Sequence, residues 1–148
     1  MFNRAKKVKD FDKLVEEVRS GSPSRIIIEA NREPARGLFK TSMTAAVGQL
    51  GQYDHALLYT VRFGKKTKRY WQPLFSAFQS ERGFADAEER NKRIMSVMLA
   101  GENKVDYLRG LFPGVDIQLG NGQGEPFTPD ILARLHKEAK EYGVTAAA

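Results

Sequence analysis

The chain contains no cysteine, and this absence excludes several classes of protein. Disulfide-stapled folds, zinc ribbons, iron–sulfur clusters and thiol nucleophiles all require that residue. No apolar run approaches the roughly 18 residues that a membrane-spanning helix needs, and residues 2–7 are too polar and basic for a secretory signal. We therefore expect a soluble, cytoplasmic protein without a membrane partner.

Motifs for cofactor chemistry are scarce as well. The two histidines, His55 and His136, have no neighbours at a spacing typical of a metal site. No Walker or nucleophile-elbow motif occurs, and the glycines of residues 120–124 lack the later glycine and the following helix of a dinucleotide-binding loop. We predict no cofactor, no metal site and no catalytic residues of these kinds, and we interpret residues 120–127 as a flexible glycine-rich loop.

What is present is enough chain for one domain, since 148 residues with 41% apolar side chains can bury a continuous core. Hydrophobic periodicity and turn residues predict helices at 10–19, 41–56, 85–100, 103–112 and 128–142, and strands at 24–30, 58–63, 69–75 and 115–119. This order predicts an α+β fold with a small mixed or antiparallel sheet, a basic β-hairpin and four to five helices. Helices interrupt the strands, so an OB-fold is not expected.

Charge is distributed unevenly along the chain, whose formal net charge is +6. Residues 1–80 contain 15 Lys or Arg and 7 Asp or Glu, whereas residues 81–148 contain 9 and 11. A basic half of this kind predicts contact with a polyanion such as DNA or RNA. The alternative is an ordinary solvated surface whose charge has no partner.

The predicted hairpin concentrates basic and aromatic side chains. Its candidate phosphate-binding residues are Arg62, Lys65, Lys66, Lys68 and Arg69, and its candidate stacking residues are Tyr59, Tyr70 and Trp71. Alternation in a strand places Tyr70 and Trp71 on opposite faces, so we expect at least one of them to be exposed, whereas Phe63 is expected to be buried. Cations and flat rings together are typical of surfaces that bind single-stranded nucleic acid. A solvated basic turn is the alternative for the same residues.

Two other basic stretches add to this candidate surface. Arg4, Lys6 and Lys7 belong to residues 1–9, which we predict to be a flexible basic arm that orders on a polyanion. Arg36 and Lys40 flank an aromatic residue in the loop after the first strand. At the other end of the chain, residues 144–148 are predicted to be a frayed tail.

These patterns favour a sequence-tolerant nucleic-acid-binding protein, preferentially for single-stranded DNA, with RNA as a close variant. We expect an accessory factor of replication, recombination or transcription that recruits a polymerase or a similar protein, and small size suggests a phage or mobile-element origin. A homo-oligomer is expected, because the glycine-bearing helix 41–56 and the apolar cluster of Met95, Met98 and Leu99 both favour close association. An interaction adaptor or inhibitor that uses the acidic C-terminal half is an alternative.

A further pattern involves Glu29, Ala30 and Asn31 at the end of the first strand, followed by Gln49 and Tyr53 on the predicted helix. It resembles the PD-(D/E)XK nucleases, in which an acidic-x-Lys triplet ends a strand and a helix with Gln-x-x-x-Tyr often follows. The resemblance implies a nuclease that uses Mg²⁺, with Glu29 as one metal-binding carboxylate. Asn31 stands where the family has lysine, and no Pro-Asp pair precedes the strand. The nuclease is therefore an alternative to a protein that only binds.

Overall fold

A computed structural model describes residues 5–31, 56–74, 87–121 and 125–147. Its elements are β1 (Lys6–Lys7), α1 (Phe11–Ser20), β2 (Arg25–Asn31), β3 (Ala56–Phe63), β4 (Lys66–Pro73), α2 (Ala87–Leu111), β5 (Asp116–Leu119) and α3 (Pro129–Glu141). A mixed five-stranded sheet with three helices confirms the α+β class. The predicted number of helices, four to five, was too high for the described residues. The predicted helix 41–56 lies outside them except for Ala56, which begins β3.

The sheet has the strand order β1-β4-β3-β2-β5. Strands β2, β3 and β4 are antiparallel, while β5 runs parallel to β2 and β1 runs parallel to β4. The turn between β3 and β4 contains only Gly64 and Lys65, because Phe63 already pairs with Lys66. Gly64 has a φ of 61°, which suits the first central position of a type II′ hairpin turn. The predicted turn at 64–68 was therefore too long, and Lys66 and Lys68 belong to a strand.

One face of the sheet carries the main core. Helix α1 begins where the Asp10 side chain accepts a 2.9 Å hydrogen bond from the backbone N–H of Asp12. Its apolar residues pack with those of α2 against one face of the sheet. The side chains buried most completely there include Leu14, Val18, Ile26, Ile28, Leu57, Tyr59, Val61, Tyr70 and Leu108. This face is referred to below as the helical face.

Helix α2 is continuous where the sequence predicted two helices separated at Gly101. A Cβ atom added at Gly101 would lie 3.0 Å from Leu119 Cδ1 and 3.2 Å from Leu57 Cδ2. The glycine therefore allows the helix to approach the sheet closely and does not end it. No described helix is long and apolar enough to cross a membrane.

Helix α3 has well-formed ends. The Thr128 hydroxyl accepts a hydrogen bond from the Ile131 N–H at its start. At its end Gly143, with a φ of 68°, donates to the Lys140 carbonyl, and Val144 donates to the Ala139 carbonyl. These bonds form a Schellman motif. The chain then remains attached to α2, since the Ser96 hydroxyl donates to the Thr145 carbonyl and the Ala147 N–H donates to the Ser96 carbonyl. Through Ala147 the tail is thus docked rather than frayed as predicted.

Two other segments predicted to be flexible are paired within the described residues. Lys6 and Lys7 form β1, and the Val8 N–H donates to the Trp71 carbonyl at 2.9 Å. Gly120 donates to the Ile28 carbonyl at 2.8 Å, while Asn121 donates to the Glu125 carbonyl at 2.7 Å. Residues 6–8 of the arm are therefore paired with the sheet, and the described ends of the glycine-rich loop are paired with it or with each other, whereas residues 1–4 and 122–124 lie outside the described residues.

Candidate nucleic-acid interface

The strand register divides the basic and aromatic residues of the hairpin between the two faces of the sheet. Lys7 pairs with Trp71 and Trp71 with Leu58, so these side chains share the face opposite α1 and α2. Arg69 lies on the same face, two positions along the β3–β4 ladder from the Leu58–Trp71 pair, and Arg62 lies four positions from that pair. We call Lys7, Arg62, Arg69 and Trp71 the basic corner.

The basic corner is open to solvent. Lys7 and Arg62 are exposed, whereas Arg69 and Trp71 are half-buried. The Lys7 Nζ atom lies 5.3 Å from the centroid of the Trp71 ring, within the range of a cation–π contact. Arg62 donates from Nε to the Gly64 carbonyl at 3.2 Å, which leaves its other guanidinium N–H groups available. None of the three cations forms an ion pair with a carboxylate in the described part of the chain.

The positive charge of the basic corner does not extend across the whole face of the sheet. Arg25 pairs with Arg62 in the ladder, but its Nε atom lies 3.3 Å from an Asp116 carboxylate oxygen. Further along the same face, Ile27 and Leu58 are buried. The positive charge is thus concentrated beside the β1 edge and declines toward β5.

Tyr59 and Tyr70 lie on the helical face and are 0% and 1% exposed. The Tyr59 hydroxyl donates a 2.8 Å hydrogen bond to Gln72 Oε1, and burial raises the pKa of Tyr59. Burial, and secondarily the negative charge of Glu17, also raises the pKa of Tyr70. Neither ring can stack on a base in this fold, so their prediction as stacking residues was wrong. The reason is that both side chains fill the core beneath α1.

The other cations of the hairpin do not join the basic corner. Lys66 and Lys68 face the helical side, and the Lys68 Nζ atom lies 5.9 Å from the centroid of Phe63, which is half-buried against the core. Lys6 also faces that side and forms a 3.1 Å ion pair with Glu17. Lys65 lies in the exposed turn between the faces. The single basic track expected from the sequence is therefore divided.

Three predicted binding residues, Arg4, Arg36 and Lys40, lie outside the described residues, as do Gln49 and Tyr53 of the nuclease resemblance. Glu29 is described and only 3% exposed, in the same ladder row as Leu58 and Trp71. A Cβ atom added at Gly120 would lie 2.9 Å from Glu29 Oε2. No group of three His, Cys, Asp or Glu among the described residues could hold a metal ion.

Thr60 and Thr67, which were not among the predicted site residues, lie beside Arg62 and Arg69 on the same face. Their hydroxyls can accept or donate hydrogen bonds at the basic corner. Strict alternation along β3 and β4 is the signal that would have found them. Comparison with known proteins adds no function to this geometry, because no family model, curated protein or solved structure matches the chain.

Proposed function

We propose that the protein binds single-stranded nucleic acid, preferentially DNA and with little sequence preference, through the basic corner. In this proposal it is a cytoplasmic accessory factor of replication, recombination or transcription. The observation that carries the proposal is the sheet register, which places Lys7, Arg62 and Arg69 on one face with a half-buried Trp71.

The three cations supply the sequence-independent part of binding. A lysine or arginine that neutralises a phosphate releases condensed counterions, and this release favours association with any sequence. Because these cations lack carboxylate partners among the described residues, phosphate contact would break no ion pair within that part of the chain. Lys6, which is paired with Glu17, would have to lose that pair first.

Trp71 supplies the preference for single strands. A base stacked on an aromatic ring contributes about 1–3 kcal/mol, and every base has a suitable face. In a duplex the bases are already stacked on one another, so this contact favours an unpaired strand. Trp71 lies on β4, next to the short edge strand β1, where a flexible strand can approach from the side.

The experiment compares two double variants by fluorescence anisotropy with a labelled mixed-sequence DNA strand. Arg62→Ala/Arg69→Ala and Lys66→Ala/Lys68→Ala each remove two positive charges from the β3–β4 hairpin, but from opposite faces of the sheet. We expect the first to weaken binding by roughly tenfold or more and the second to weaken it much less. Equal losses would show that net charge, not the basic corner, determines binding.

A second comparison tests the stacking contact. Trp71→Ala is expected to lose about 1–3 kcal/mol of binding free energy for the single strand, whereas Trp71→Phe retains most of it. Matched duplex DNA and RNA measure the preference for single-stranded DNA. Unchanged binding by Trp71→Ala, with the fold intact by circular dichroism, would exclude Trp71 from the interface.

A further inference from the structure

A groove of about 950 Å³ lies between α2 and α3, away from the basic corner. Its walls combine apolar and polar side chains in similar proportion. The apolar ones include Ile94, Met95 and Met98 of α2 and Ile131, Leu135 and Tyr142 of α3 or its end. Ile131 and Tyr142 are 43% and 47% exposed, which is high for large apolar side chains. Methionine-rich grooves adapt readily to a partner surface. The groove therefore has the composition of an interaction site.

The lining residues of α3 follow a regular pattern. Ile131, Arg134, Glu138 and Tyr142 lie three to four residues apart and so occupy one side of the helix. Ile131 and Tyr142 stand at the two ends, roughly 16 Å apart along the axis. Arg134 and Glu138, with opposite charges, stand between them at a nitrogen–oxygen distance of 3.8 Å. Both charged side chains are largely exposed, so either can reach a second molecule.

This pattern is complementary to itself when reversed. If two copies of α3 pack antiparallel about a two-fold axis near residue 136, Arg134 of each copy faces Glu138 of the other. In the same arrangement Ile131 of each copy meets Tyr142 of the other beside the methionines of α2. A two-fold interface requires this kind of self-complementarity, because one surface patch must serve both subunits.

We infer that the α2–α3 groove is the interface of a homodimer in which the α3 helices of two copies pack antiparallel. The orientation of α3 within each copy is fixed by its contacts with α2. Leu135 and Ala139 are buried against Met95, and His136 Nε2 lies 2.7 Å from a Glu102 carboxylate oxygen of α2. These contacts determine which side of α3 packs on α2 and which side is exposed.

The test uses charge reversal in the full chain, with association measured by sedimentation velocity over the micromolar range. Arg134→Glu places two glutamates at positions 134 and 138, and Glu138→Arg places two arginines there. In a dimer of either variant alone, like charges meet at both contacts between positions 134 and 138. We therefore expect the association constant to fall on the order of tenfold or more. An equimolar mixture restores opposite charges at both contacts, so we expect it to form a heterodimer. Lys137→Glu, which reverses an exposed charge outside the groove, is the matched control and should dimerise like the parent.

Three outcomes would overturn the inference. The first is a parent protein that stays monomeric at high micromolar concentration. The second is a dimer that survives either single reversal unchanged, which would place the interface elsewhere. The third is a mixture that fails to associate although circular dichroism shows both variants folded. In the first outcome, an apolar dye whose binding is abolished by Met98→Lys would identify the groove as a small-ligand site instead.

Discussion

The two tyrosines beneath α1 allow a sharp test of the structure, because they are equally buried but differ in hydrogen bonding. The Tyr59 hydroxyl donates to Gln72 Oε1 at 2.8 Å. The Tyr70 hydroxyl has no hydrogen-bond partner among the described residues. Substitution of each tyrosine by phenylalanine removes one oxygen and leaves the ring, so the two substitutions isolate this difference.

Tyr59→Phe should destabilise the protein by about 1–3 kcal/mol, since the buried Gln72 carbonyl oxygen loses its donor. Tyr70→Phe should leave stability unchanged or raise it by about 1 kcal/mol, because it removes a buried hydroxyl that makes no hydrogen bond. Tyr107→Phe is the control, since Tyr107 is exposed and its substitution should change stability by less than about 0.5 kcal/mol.

The assay is urea unfolding followed by circular dichroism. The unfolding midpoints are compared with one shared m-value, the slope of the unfolding free energy against urea concentration. A Tyr70→Phe loss as large as that of Tyr59→Phe would refute the assigned hydrogen bonding. The same variants also test the interface, because both rings face the core. Neither substitution should alter the affinity for single-stranded DNA, whereas a loss for either would show that its hydroxyl contacts the nucleic acid.

Two other predictions concern stability. Burial raises the pKa of Tyr59 in the folded protein, so the unfolded chain loses this proton first. The stability that the buried Tyr59 contributes below about pH 10 should therefore decline above it by up to about 1.4 kcal/mol per pH unit. The pKa of Tyr70 is also raised, which adds a decline in the same direction. Urea midpoints from pH 9 to 11 measure this decline, which should be shallower in Tyr59→Phe; identical slopes would contradict the burial of that ring. Gly120→Ala should cost about 1–3 kcal/mol, since its Cβ would lie 2.6 Å from Ile27 Cγ2. Gly110→Ala, at a helical site where an added Cβ atom has nothing within 4 Å, should raise the stability by up to about 1 kcal/mol. Thermal unfolding compares the two variants. If Gly120→Ala is the more stable of the two, the packing beside the end of β5 differs from that in the structure.

Local patterns in the sequence predicted much of the fold. The run Ile26–Ile28 predicted β2, and the Asp10 cap with the spacing of Leu14, Val15 and Val18 predicted α1. Both patterns involve residues close together in the sequence, and both predicted elements occur in the structure. Gly101 shows the limit of such reasoning, because a glycine within a helical pattern either ends the helix or allows close packing. The neighbours that decide between these outcomes, Leu57 and Leu119, are distant in the sequence.

The candidate interface could be predicted only in part for a similar reason. Alternation placed Tyr70 and Trp71 on opposite faces, but it could not show which face α1 covers. That choice buried Tyr70 and left Trp71 half-exposed. The pairing of Lys7 with Trp71 also lacks a sequence signal, since a strand of two residues has no detectable period. Long-range packing therefore decides which cations and rings lie together.

The salt dependence of binding tests the central proposal most directly. Affinity for a single DNA strand is measured over a series of salt concentrations for the parent, for Arg62→Ala/Arg69→Ala and for Lys66→Ala/Lys68→Ala. Each phosphate contact contributes about −0.7 to the slope of log affinity against log salt. We expect the first variant to lose roughly two such contributions and the second to keep the parent slope. Equal slopes for the two variants, or a parent without measurable binding, would contradict nucleic-acid recognition by the basic corner.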